Sequence, residues 1–148
     1  MLKERFAEIF RINATPGKIA AGFAVGAFIG VFPTFGLGGV LAIFLAWLFR
    51  LNYASTVLGA VIVMNPVTAP FFWGLSAAAG AAMFAADSRE ILQQIKNGII
   101  VGSIREFTLI YLAGNLIISS VVSLISYFAV KGVVTAYRKN RSKSDENR

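Results

Sequence analysis

Three long stretches of this chain carry no charged side chain, and a chain built that way has few ways to fold. They run from Ile19 to Phe49, from Leu51 to Ala86 and from Phe107 to Val130. A helix needs about 20 mostly apolar residues to cross a bilayer. A soluble protein of 148 residues has no core that calls for three such runs. Hydrophobic residues make up 57% of the chain and charged ones 14%, where soluble domains average about 25% charged. The expectation is one all-α domain in a membrane.

The net charge of +7 sits at the ends. Residues 1–18 hold Lys3, Arg5, Arg11 and Lys18 against Glu4 and Glu8; residues 131–148 hold Lys131, Arg138, Lys139, Arg141, Lys143 and Arg148 against Asp145 and Glu146. Basic ends beside membrane spans point to anchoring on the cytoplasmic face, next to anionic lipid. They flank spans and form no groove-reading element, so nucleic acid is not an expected partner. Cysteine and histidine are absent, which removes disulfides, thiolate metal sites and the commonest general base. No Asp, Glu, Lys or Arg lies inside the apolar runs. Proton-coupled pumps and voltage sensors depend on such residues, so those classes fall. No catalytic constellation, metal or cofactor is expected.

Along the chain, Leu2, Phe6, Ile9 and Phe10 share one helical face, giving an amphipathic N-terminal segment over residues 1–14. Thr15-Pro16 is a helix start, with Thr as the cap and Pro in the first turn. Residues 15–137 form the membrane domain. Its first run is broken by Phe32-Pro33-Thr34-Phe35-Gly36, and its second by Asn65-Pro66-Val67-Thr68-Ala69-Pro70. Each half is shorter than the roughly 30 Å hydrocarbon core. The layout predicts two Pro/Thr-broken helical hairpins, and leaves open whether their tips sit inside the membrane or turn at its far surface. Residues 88–106 suit an amphipathic interfacial helix, Phe107–Val130 is one uninterrupted span, and residues 138–148 read as a disordered basic tail. Two returning hairpins and one crossing leave the two basic ends on opposite sides. That conflict is resolved if the first run crosses once as a kinked helix, or if one end overrules the charge rule.

Small-residue stripes recur every four residues at Gly22, Gly26 and Gly30 and at Gly74, Ala78 and Ala82, the spacing that lets helix backbones approach closely. Asn115, Ser119, Ser123 and Ser126 place a mild polar stripe on the last span, suited to hydrogen bonds between helices. The polar breaks, Pro33-Thr34 and Asn65-Pro66 with Thr68 and Pro70, are either simple turns or the half-helix ends at which transporters hold a substrate. Arg50, between Trp47 and Tyr53, is a snorkelling side chain or a phosphate ligand.

The run from Pro16 to Pro33, with Arg50-Leu51-Asn52 and Asn65-Pro66-Val67-Thr68-Ala69-Pro70, resembles a bacterial membrane family catalogued as domain of unknown function 2062. The resemblance covers about residues 3–135. It implies a site at the Asn-Pro-x-Thr-x-Pro signature and the preceding Arg-x-Asn, and an inner-membrane location. Some members are joined to glycosyltransferase domains that act on lipid-linked sugars, which implies envelope chemistry. The leading expectation is a non-enzymatic protein that binds or translocates a lipid-linked or other amphiphilic substrate. Asn65, Pro66, Thr68, Pro70, Pro33, Thr34, Arg50 and Asn52 would form its site. The rival is an accessory subunit packed against an envelope enzyme such as a glycosyltransferase. Anionic lipid and a second copy of the chain are the other expected partners.

Overall fold

The computed structural model describes residues 14–34, 36–84, 89, 93, 96–97 and 100–146. The expected N-terminal amphipathic segment lies outside these, Ala14 apart, as do eight of the nineteen residues of the expected interfacial helix over 88–106, whose residues 100–106 belong to the start of the last helix. The elements are all α: α1 (Pro16–Val31), α2 (Gly38–Leu48), α3 (Tyr53–Val63), α4 (Ala69–Met83) and α5 (Ile100–Glu146). Thr15 caps α1 by accepting the Lys18 amide, with Pro16 in the first turn, as its residue types predict. Asn52 caps α3 by accepting the Ser55 amide at 2.9 Å.

Contacts between helices give their senses. Gly22 lies against Asn52 and Ser55, Gly26 against Thr56 and Ala60, and Gly30 against Ala60 and Met64, so α1 and α3 run side by side in the same direction. Against α5, Gly17 meets Tyr127, the Ala24 carbonyl accepts from Ser123 and the Val31 carbonyl accepts from Asn115; α1 and α5 are antiparallel. Gly80 meets Ile110, and Gly114 meets Ser76, so α4 is antiparallel to α5 as well. It follows that α3 and α4 share one sense, and the second unit does not fold back on itself as the layout suggested.

Backbone geometry explains the difference. Among the described residues the positive-φ positions are Gly36 (φ 89) and Arg50 (φ 51), one on each side of α2. The break at 64–68 has no such residue. There Met64 is extended (ψ 96), and the Asn65 carbonyl accepts from both Thr68 and Ala69, one helix-like turn that restarts the helix in the same direction. The Arg138 guanidinium donates to the Ala14 carbonyl at 2.7 Å, so the start of α1 and this stretch of α5 meet at one end of the described bundle.

α5 is long and apolar enough to cross a membrane over Ile104–Ser142, and at 1.5 Å per residue the whole helix is about 70 Å long. It runs on through residues 140–146, where the residue types had suggested a disordered tail. Extending a helix already nucleated costs far less than starting one, and Arg, Lys and Glu are good helix formers.

Packing puts mostly small residues inside and the aromatic ones outside. The buried set holds Ala20, Ala24, Ala27, Ala42 and Ala46, with Ser55, Thr56, Ser76, Asn115 and Ser119, and the larger Ile19, Ile29, Val31 and Ile110. Trp47, Phe49, Phe71, Trp73 and Phe128 are all more than half exposed. Water drives the opposite arrangement in a soluble bundle.

Candidate functional site

The Asn65–Pro70 break is held together by its own side chains. Asn65 Oδ1 accepts from Val67 N at 3.0 Å and Thr68 N at 3.2 Å, while Asn65 Nδ2 donates to the Ile62 carbonyl at 3.1 Å. Thr68 Oγ1 donates to the Val63 carbonyl at 2.7 Å and accepts from Asn65 N at 3.1 Å. Ending one helix and starting another leaves unpaired amides and carbonyls, and these two side chains take up several of them. Pro66 and Pro70, both exposed, bring no amide to satisfy.

The first break is separate. Phe32 is extended (ψ 137) ahead of Pro33, as the residue before a proline prefers. The Thr34 carbonyl accepts from Leu37 N at 3.0 Å, and the Thr34 hydroxyl lies against Gly38.

Arg50 and Asn52 stand at the start of α3, whereas Asn65 and Thr68 follow its end. The two groups are about 16 Å apart along an 11-residue helix. The residues expected to form one site therefore stand at different levels of the bundle, because α3 separates them. Arg50 occupies the position after α2 usually held by glycine: Leu51 N reaches the Ala46 carbonyl at 2.8 Å and Arg50 N the Trp47 carbonyl at 3.3 Å, the double bond pattern of a left-handed helix stop. Its side chain is exposed beside Trp47 and Tyr53. Arg50→Gly is expected to raise stability by about 1 kcal/mol by relieving the left-handed backbone, read as a higher Tm in detergent. A lower Tm would mean the guanidinium makes a contact worth more than the strain.

The glycine stripe of α1 faces α3. Ala78 and Ala82 are exposed and Gly74 has open space around it; α4 instead meets α5 through its opposite face, Ser76 and Gly80. Ser76 and Gly80 have the same four-residue spacing, so the sequence offered two faces and marked the outer one. Gly59 and Gly114, which meet the backbones of Phe23 and Ser76, were not anticipated either. On α5, Asn115 Nδ2 donates to the Val31 carbonyl and to Ser76 Oγ, both at 3.1 Å, tying α1, α4 and α5 at one level. Ser123 donates to the Ala24 carbonyl at 2.8 Å, and Ser119 bonds within its own helix.

A cavity of about 290 Å³ lies between α1, α3 and α5. Ile19, Phe23, Leu58, Val130 and Val134 supply apolar walls, and Asn52 and Ser55 bring polar atoms to its edge. Much of that polarity is engaged: Asn52 Oδ1 accepts from the Ser55 amide, and Ser55 Oγ donates to the Asn52 carbonyl at 2.9 Å. The cavity is suited to hydrocarbon. Residue patterns gave no sign of it, because its walls come from three helices distant in sequence.

No curated protein and no solved structure matches the chain. Residues 1–143 match the family described as an uncharacterized protein conserved in bacteria. With that match spanning nearly its whole length, the chain belongs to the bacterial family of domain of unknown function 2062.

Proposed function

We propose that the chain is a multi-pass protein of the bacterial inner membrane that binds a lipid-linked or other amphiphilic substrate, with both basic ends on the cytoplasmic side. The apolar cavity between α1, α3 and α5 carries this reading. Ligand pockets are concave and mostly apolar with few polar groups, and this one opens in a bundle whose large side chains face outward. The bilayer span is supported by register. From the Gly17–Tyr127 contact to the Gly80–Ile110 contact is about 26 Å along α5. With the terminal turns beyond them, α1 and α4 together match a core of about 30 Å, although neither does alone. α3 and α4 then make one broken crossing, and α1 with α2 enters and returns on the cytoplasmic side. Substrate contact shifts from Asn65 and Thr68, occupied in their own turn, to the cavity.

Single cysteines at Thr15 and Lys139 test the topology: both are expected to react with an impermeant thiol reagent from the cytoplasmic side, and labelling from opposite sides would overturn it. For binding, the native protein released from membranes into mild detergent is expected to retain an amphiphile by native mass spectrometry. Leu58→Trp, which fills the cavity, is expected to remove at least about 90% of it; equal retention would refute the cavity as the site.

The accessory-subunit reading is favoured by one observation, the uncovered face of Gly74, Ala78 and Ala82, which suits a close helix partner such as a membrane glycosyltransferase. It predicts that Ala78→Leu breaks a stoichiometric complex while leaving the cavity ligand in place. Unchanged complex recovery would end it.

A further inference from the structure

We infer that the cavity takes one hydrocarbon chain of an anionic membrane lipid, whose phosphate is held by Lys18 and Lys131. This rests on the amphiphile-binding reading above and names the ligand's chemistry. The cavity is at the small end of the range for ligand pockets, about 300–1,000 Å³, and its walls offer carbon, which suits an aliphatic chain and not a sugar or a nucleotide.

Charge complementarity identifies the head group. Lys18 precedes the wall residue Ile19, Lys131 follows the wall residue Val130, and Arg138 lies one helical turn beyond the wall residue Val134. Lys18 lies in the first turn of α1, and contacts bring Lys131 and Arg138 to the same end of that helix. Gly17 lies against the Tyr127 hydroxyl, Lys131 Nζ stands 5.6 Å from the centre of the Tyr127 ring, and Arg138 bonds the Ala14 carbonyl. Among residues whose side chains are described, the one carboxylate is Glu106, toward the opposite end of α5. Positive charge thus stands beside the cavity walls with no described carboxylate among it, and the proposed topology puts this end of α1 on the cytoplasmic side, where a lipid of that leaflet places its phosphate. Arg138 is committed to Ala14, which leaves Lys18 and Lys131 as the recognition pair. An ammonium is a compact point charge that binds phosphate without demanding a fixed fork geometry.

The test uses the full chain in a nonionic detergent, titrated with dioleoyl phosphatidic acid and dioleoyl phosphatidylcholine and read by native mass spectrometry. The two lipids share their chains and differ in the head group. Wild type is expected to prefer phosphatidic acid by about tenfold, the order of one to two charge-assisted contacts. The Lys18→Gln/Lys131→Gln variant is expected to bind both lipids alike. Leu58→Trp, and independently Ala129→Trp, are expected to weaken both; two cavity positions guard against one of them failing to fold. Full preference retained by the double Gln variant overturns the assignment. So does normal phosphatidic acid binding by both cavity variants, which would mean a surface ion pair without a seated chain. If wild type binds the two lipids equally, phosphate recognition falls and amphiphile binding stands; if it binds neither, both fall.

Discussion

Gly26→Val is expected to destabilise the protein by about 3 kcal/mol or more, the largest effect of any single substitution considered for this chain. A Cβ at Gly26 would run into the Thr56 carbonyl, with the Ala60 nitrogen 2.9 Å away. Both obstacles are backbone, so no side chain can rotate aside. From the other helix, a Cβ at Gly59 would meet the Phe23 carbonyl. The α1–α3 contact is therefore backbone on backbone, and added volume must part the helices. Overpacking of a well-packed contact costs about 1–3 kcal/mol and sometimes more; here the whole interface and the cavity beside it move together. The expected result is an apparent Tm lower by about 10 °C in detergent, with loss of retained amphiphile. Gly74→Val is the control, since nothing lies within 4 Å of Gly74, and it should leave Tm unchanged in the isolated protein. A wild-type Tm for Gly26→Val would mean that α1 and α3 are not in contact at this position.

Asn65→Ala is expected to cost about 2–3 kcal/mol, and the loss should be in the fold before it is in binding. The alanine leaves Val67 N and the Ile62 carbonyl without their side-chain partners; both bonds are exposed on the bundle, and the proposed membrane span puts them in hydrocarbon, where an unsatisfied group costs about 1–3 kcal/mol. In hydrocarbon there is no water to take the place of the amide. Thr68→Val should cost a similar amount by removing the bond to the Val63 carbonyl, while Thr68→Ser, which keeps the hydroxyl, should be close to neutral. Amide exchange at Val67 and Thr68 is the direct readout, with protection falling in Asn65→Ala. If exchange and Tm stay at wild-type values while the ligand is lost, Asn65 touches the ligand and the turn assignment is wrong.

These substitutions show what residue patterns can reveal. The Asn-Pro-x-Thr-x-Pro motif is legible as a break because proline and side-chain amides act on their own neighbours, within a few residues. Whether the break reverses the chain depends on φ and ψ at each position, and Met64 carries no residue-type sign of its extended backbone. The turn at Arg50 was equally hidden, because a left-handed residue is usually glycine or asparagine and here is arginine. On α4 the two stripes of small residues are equivalent in sequence, and the contact with Gly114 on α5 decides which is buried.

By itself, the sequence determined the helical class, the apolar span of α5, the cap at Thr15, the two breaks and the family. All of these follow from hydrophobicity, local hydrogen bonding and fixed dihedrals acting along the chain. Tertiary structure alone decided that α1 and α3 pack side by side, that Ala14 and Arg138 meet, and that the cavity forms between α1, α3 and α5. Each of these depends on which helix faces approach, and that is set by backbone clearance at Gly26, Gly59, Gly80 and Gly114 between residues far apart in sequence.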